Sequence, residues 1–251
     1  MKNTLRQVVV SLTVLITIVI NILADALPIN GLNTGAISDK FKVYFVPAGY
    51  VFAIWGIIYI GLIAYAVYQA LPAQRENPRL QTIGWWVVLG GLANCTWIFL
   101  WHYEQFVGTL AAMLVLLATL IAVYLALGVG QMKVSSGETW AVRIPFSIYL
   151  GWITVATIAN VSDVLDTLHP LGLNNVAATW MVVMLGAVLI ISGLMSFLRR
   201  DVAYAAVILW ALAGIAVKFP QAGIVTIATW VTFVLVATSL IVAFLVKKNP
   251  A

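Results

Sequence analysis

Eight stretches of the chain carry apolar side chains almost without interruption, and polar residues collect between them. The stretches run Val8–Leu27, Phe45–Leu71, Ile83–Trp101, Phe106–Val129, Trp140–Val161, Val176–Leu198, Val202–Val217 and Ala222–Val246. A hydrocarbon core of about 30 Å takes roughly 20 helical residues to cross, and the backbone must satisfy its own hydrogen bonds there. Runs such as Met113–Leu127 are unbroken where a barrel strand would alternate in polarity, so the pattern predicts helices. The expected fold class is all-α, a polytopic transmembrane helix bundle of about eight helices. Val202–Val217 is the shortest of them.

The polar punctuation tests that count, because eight spans place alternate loops on one side. Lys2, Arg6, Arg75, Arg79, Lys133, Arg143, Arg199, Arg200, Lys247 and Lys248 then fall together, ten of the 13 basic residues, while Lys40, Lys42 and Lys218 fall opposite. Basic residues favour the cytoplasmic side, so both termini are expected in the cytoplasm and a loop over Asp163–His169 outside; the membrane itself is read as a bacterial inner membrane. Merging the short seventh span with a neighbour would split Arg199 and Arg200 from Lys247 and Lys248. Lys2 and Arg6 ahead of an apolar run, with Ala24-Asp25-Ala26 as a small-residue site, also suit a cleaved leader. The segment is read as a first membrane helix.

Composition strengthens the membrane reading and narrows the chemistry. Hydrophobic residues make up 63% of the chain and charged residues 8%, against about 25% charged in soluble domains. The net charge of +5 belongs to topology and not to a nucleic-acid face, since the cations lie between spans. Cys95 stands alone in an apolar run, which argues against redox chemistry. The span middles hold no ionisable residue, which argues against ion-coupled pumping and voltage sensing. Lys218 ends the seventh span instead of occupying its middle, a snorkelling position and not that of a retinal Schiff base. There is no glycine-rich phosphate loop, HExxH, GxSxG or CxxC, so no catalytic residue and no metal ligand is assigned. His102 and His169, near Glu104, Asp163 and Asp166, are read as solvated loop histidines, with a metal or porphyrin iron across that face as the other reading.

The chain is rich in aromatic side chains with a polar handle, ten Trp and nine Tyr. Trp85, Trp86, Trp101, Tyr103 and Trp140 sit at span ends, where such rings anchor to headgroups. Others lie inside spans. Trp55 and Tyr59 share a helix face, as do Tyr149, Trp152 and Ala156, and Asn94 and Trp97 are three apart. Asn94 and Asn160, placed in hydrocarbon, must face other helices to find partners. Two readings stay open for this set: packing alone, or a stacking pocket for a flat apolar ligand.

Tyr149-Leu150-Gly151-Trp152-Ile153-Thr154-Val155-Ala156, followed by Asn160, resembles the fifth-helix signature of the TspO/MBR translocator proteins, also called tryptophan-rich sensory proteins. Asn94, Trp97 and the aromatic Trp101 resemble the third-helix motif of that family. Pro47-Ala48-Gly49-Tyr50-Val51-Phe52 and Trp55-Gly56-Ile57-Ile58-Tyr59 resemble its second-helix opening. Three departures stand beside these: Ile148 replaces a Pro, Tyr50 replaces a Trp, and the interval from Phe52 to Trp55 is one residue short. The resemblance covers roughly residues 8–161, a five-helix unit. Residues 1–161 are therefore read as a TspO-like five-helix unit and 162–251 as a three-helix extension, with small-residue faces at Gly186/Gly193 and Ala206/Gly214.

The resemblance implies a membrane protein that binds tetrapyrroles such as protoporphyrin and haem, or sterol-like lipids, as a sensor or carrier, often as a homodimer. It implies Trp55, Tyr59, Asn94, Trp97, Tyr149, Trp152, Ala156 and Asn160 as ligand-binding residues. A loose cholesterol-type pattern also occurs at Arg143, Phe146 and Leu150. A structural or assembly subunit of a larger membrane complex is the alternative, since eight polar-poor helices offer much lateral surface. An enzyme acting on a tetrapyrrole or isoprenoid is a third reading, distinguished by turnover of the bound molecule.

Overall fold

The computed structural model describes residues 2–27, 29–170 and 172–246. Eight helices of 17 residues or more dominate them: α1 Lys2–Ala26, α2 Ile54–Ala70, α3 Pro78–His102, α4 Phe106–Ala126, α5 Ile144–Leu168, α6 Asn175–Arg199, α7 Val202–Lys218 and α8 Ile224–Leu245. Seven carry spans long and apolar enough to cross a membrane, and α7 is the shorter eighth. No strand occurs among the described residues. The protein is an integral, multi-pass helical bundle, as the hydrophobic pattern predicts.

Caps set several of the helix starts. Asn77 accepts from the Arg79 amide ahead of Pro78 at the first position of α3, where a missing N–H costs nothing. Asn174 accepts from the Val176 and Ala177 amides to start α6. Only Arg200 and Asp201 join α6 to α7. Arg200 turns the chain in the left-handed region at φ 53°, and Asp201 caps α7 through the Tyr204 amide. The other Asp201 oxygen takes the Tyr124 hydroxyl at 2.9 Å and the Ser147 hydroxyl at 2.6 Å. This buried carboxylate thus ties α4, α5 and α7 together.

The helices pack in an order set by side chains that lipid cannot replace. α3 lies between α1 and α4, α5 against α4 and α7, and α8 against α6 and α7. Lipid tails are as apolar as Leu, so the helices hold together by close packing and by hydrogen bonds between them. Asn21 donates to Asn94 at 2.6 Å and Asn94 to the Tyr149 hydroxyl at 3.0 Å, linking α1, α3 and α5. Both asparagines face neighbouring helices, as their place in hydrocarbon requires.

Alternate loops share one end of the bundle. Arg6 donates to the carbonyls of Leu80 and Arg75, Arg143 to those of Leu127 and Met132, Arg199 to Val129 and Arg200 to Val246. Arg79 forms a two-pronged pair with Glu138 at 2.6 and 2.7 Å. Lys247 and Lys248 lie outside the described residues. At the opposite end Lys40 pairs with Glu104 and Lys218 with Asp39.

Two boundaries differ most from the sequence reading. The expected loop over Asp163–His169 is helical as far as Leu168, because Asp163 and Asp166 break the apolar run without breaking the helix. The expected second span from Phe45 begins as an extended strip through Pro47 and a single 3-10 turn, Gly49–Ala53, before α2. That strip and the short helix Thr34–Ser38 fold over the end of the bundle opposite the N-terminus.

Candidate aromatic cavity

Two adjoining cavities open beneath this cover. The aromatic cavity lies among the start of α2, the end of α3, α4 and α5. Trp55, Trp97, Trp101, Trp152 and Phe52 form its walls, with Ala156, Asn160 and Asp163 along α5. It holds about 50 Å³ of free space. The side cavity lies between α1, α2 and α3 and holds about 460 Å³, lined by Asn21, Asp25, Tyr59 and others. Thr34, Phe52, Trp55 and Trp97 border both. Ligand sites commonly occupy about 300–1,000 Å³, so the side cavity has room for a flat molecule and the aromatic cavity for one end of it.

Helix periodicity places these rings. Trp55 and Tyr59, four apart on α2, stack at 5.6 Å and 27°. Trp97 and Trp101, four apart on α3, stack at 5.1 Å and 19°. Trp152 stands edge-on to Phe52 at 5.7 Å and to Trp55 at 6.3 Å, closing the cavity from α5. Trp97 Nε1 donates to Asn160 Oδ1 at 3.4 Å, and Asn160 Nδ2 to the Thr109 hydroxyl at 2.9 Å, so α3, α4 and α5 are fastened at the wall itself.

Of the eight residues singled out from the sequence, Trp55, Trp97, Trp152, Ala156 and Asn160 line the aromatic cavity, and Tyr59 lines the side cavity. Asn94 and Tyr149 line neither. They bond to each other, and the Tyr149 ring supports Trp55 edge-on at 6.0 Å.

Other residues reach the site without having been assigned to the ligand-binding set. Trp101, read as a headgroup anchor, is 3% exposed and donates to the Thr34 carbonyl at 3.2 Å. The covering strip had no periodicity to reveal that it would fold back; its one local signal is Asn33, which caps the short helix through the Ala36 amide. His102, read as a solvated loop histidine, is 1% exposed, and its ring nitrogens meet the Ile29 carbonyl at 3.0 Å and the Thr34 hydroxyl at 3.3 Å. The described residues contain no cluster of three or more potential metal ligands among His, Cys, Asp and Glu. The cholesterol-type pattern is not on a lipid-facing surface, since Arg143, Phe146 and Leu150 are all buried.

α7 braces the cavity from outside. Gly214 accepts from the Ala48 amide at 3.2 Å, and Trp210 Nε1 donates to the Val51 carbonyl at 3.1 Å. The approach needs glycine: a Cβ at Gly214 would stand 2.1 Å from Val51 Cγ2. Of the small-residue faces noted in the sequence, Gly214 therefore makes a close contact, while a Cβ at Gly186 or Gly193 would meet nothing within 4 Å.

The family model described as TSPO-like protein matches residues 7–244, nearly the whole chain. The chain belongs to this family. The match agrees with the TspO/MBR resemblance of the three helix motifs, and in this TSPO-like protein it continues through α6, α7 and most of α8, past the residues over which motifs could be read. Among curated proteins and among solved structures, nothing matches the chain.

Proposed function

We propose that this TSPO-like membrane protein binds a flat apolar ligand, a tetrapyrrole such as protoporphyrin or haem or a sterol-like lipid, and acts as its sensor or carrier. The observation that supports this most is the pair of adjoining cavities walled by two stacked aromatic pairs, Trp55–Tyr59 and Trp97–Trp101. Indole faces bind planar apolar rings by offset or edge-on stacking. Trp55, Tyr59, Trp97, Trp152, Ala156 and Asn160 would contact the ligand, and Asn94 and Tyr149 would hold that wall in place. Residues 1–161 supply these groups; within the 162–251 extension α7 braces them, and the extension would offer lateral surface to a second copy or to another membrane protein. The ten-to-three division of cations in the sequence favours cytoplasmic termini, and a bacterial inner membrane is the proposed host. Binding and release suffice for this role, and no turnover is required.

Purification in mild detergent followed by an absorption spectrum tests for a copurifying pigment. Titration with protoporphyrin or a sterol analogue then tests binding through tryptophan fluorescence. Saturable quenching is the expected result. Its absence with both ligand classes, in folded protein, would leave the aromatic set as packing alone.

A further inference from the structure

The lining of the two cavities is aromatic, aliphatic or neutral polar, apart from one carboxylate in each. Asp163 borders the aromatic cavity and Asp25 the side cavity, and neither lining includes a Lys, Arg or His. Asp25 has a structural task, accepting from the Thr34 amide at 3.0 Å. Asp163 is placed differently. It is 4% exposed, and its Oδ1 has no hydrogen-bond partner among the described residues. Lys218, a cation at the same end of the bundle, is engaged with Asp39 at 3.0 Å. No ion pair to Asp163 occurs among the described residues.

A buried carboxylate without a partner is costly, and buried charges are ordinarily paired or coordinated. Here the surroundings also select the partner. Indole faces attract cations through the ring quadrupole, most strongly where water is excluded, and four Trp line the same cavity. We propose that the aromatic cavity is a recognition site for a positively charged nitrogen. The ligand is a flat apolar molecule carrying an ammonium-type head, which donates to the Asp163 carboxylate among the indole rings while its body lies in the side cavity. The volumes fit this division, a small head in about 50 Å³ and a larger body in about 460 Å³. The inference rests on the reading that the cavities hold a flat ligand and narrows its chemistry. An anionic head is repelled from the inner end, so a tetrapyrrole would keep its carboxylates at the mouth.

Three probes built on one pyrene body test it: pyrenemethylammonium, pyrenemethanol and pyrenecarboxylate. Each is titrated in neutral detergent into the full-length protein and its Asp163→Asn variant, read by tryptophan quenching. The native protein should bind the ammonium at least about tenfold more tightly than the carboxylate, with the alcohol between them. In Asp163→Asn the preference should shrink to about twofold or less, with Asp163→Ser taking its place should that variant not fold. Equal affinities in the native protein, or a preference that survives loss of the carboxylate, overturns the proposal. No saturable quenching by any probe overturns the underlying reading of the cavities, and this inference with it.

Discussion

Asn94 donates its Nδ2 hydrogen to the Tyr149 hydroxyl at 3.0 Å while its Oδ1 accepts from Asn21 at 2.6 Å, so one side chain joins three helices behind the aromatic wall. Interhelical hydrogen bonds in membranes contribute roughly 0.6–1.7 kcal/mol each. Asn94→Ala removes two of them and should lower stability by about 1–3 kcal/mol, measured as thermal or denaturant unfolding in detergent. Ligand affinity should fall less than when a wall residue is cut back. An undiminished unfolding midpoint would show that Asn21 and Tyr149 find other partners.

Trp152 is the wall residue to cut. It is 3% exposed and closes the cavity against Phe52 and Trp55. Trp152→Ala should weaken protoporphyrin binding by about 1–3 kcal/mol, tenfold or more in Kd, the scale of a lost buried aromatic contact. A folded Trp152→Ala protein with unchanged affinity would place the ligand elsewhere.

Gly214 gives a test from outside the cavity. Gly214→Ala drives a methyl into Val51 and pushes on the 3-10 turn that carries Phe52. Overpacking of this kind costs typically about 1–3 kcal/mol. The variant should unfold earlier and also bind ligand several-fold more weakly. Gly186→Ala, where a Cβ meets nothing within 4 Å, should change neither.

Topology is tested with single cysteines. Ser136 and Thr167 are both exposed and stand at the two ends of the α5 segment. In a Cys95→Ser background, Ser136→Cys should label from the cytoplasmic side and Thr167→Cys from the other. Labelling of both from one side would rule out an odd number of crossings between them.

The spans were legible because length and continuous apolarity are forced by the bilayer, and the α7 boundary followed from the charges on either side of it. Motif spacing likewise placed Trp55, Trp97 and Trp152 around one cavity. What the sequence hid is how the strip Ile29–Ala53 returns over the bundle, burying Trp101 and His102, which read as a headgroup anchor and a solvated loop residue. Local periodicity is silent on where an aperiodic segment lands. Asp163 was hidden for the opposite reason: a charge near a span end reads as a loop, yet the helix runs on and carries the carboxylate inside.

The bond from the Ala48 amide to the Gly214 carbonyl joins the strip that leads into α2 to α7. A chain made from its N-terminus inserts the strip from Pro47 to Ala53 well before Gly214 has left the ribosome, and until then the Ala48 N–H must find another acceptor. The cavity wall is therefore finished late in biosynthesis, after most of its own residues are already in the bilayer. A nascent chain halted before Val202 would contain every ligand-facing residue and still lack the completed site.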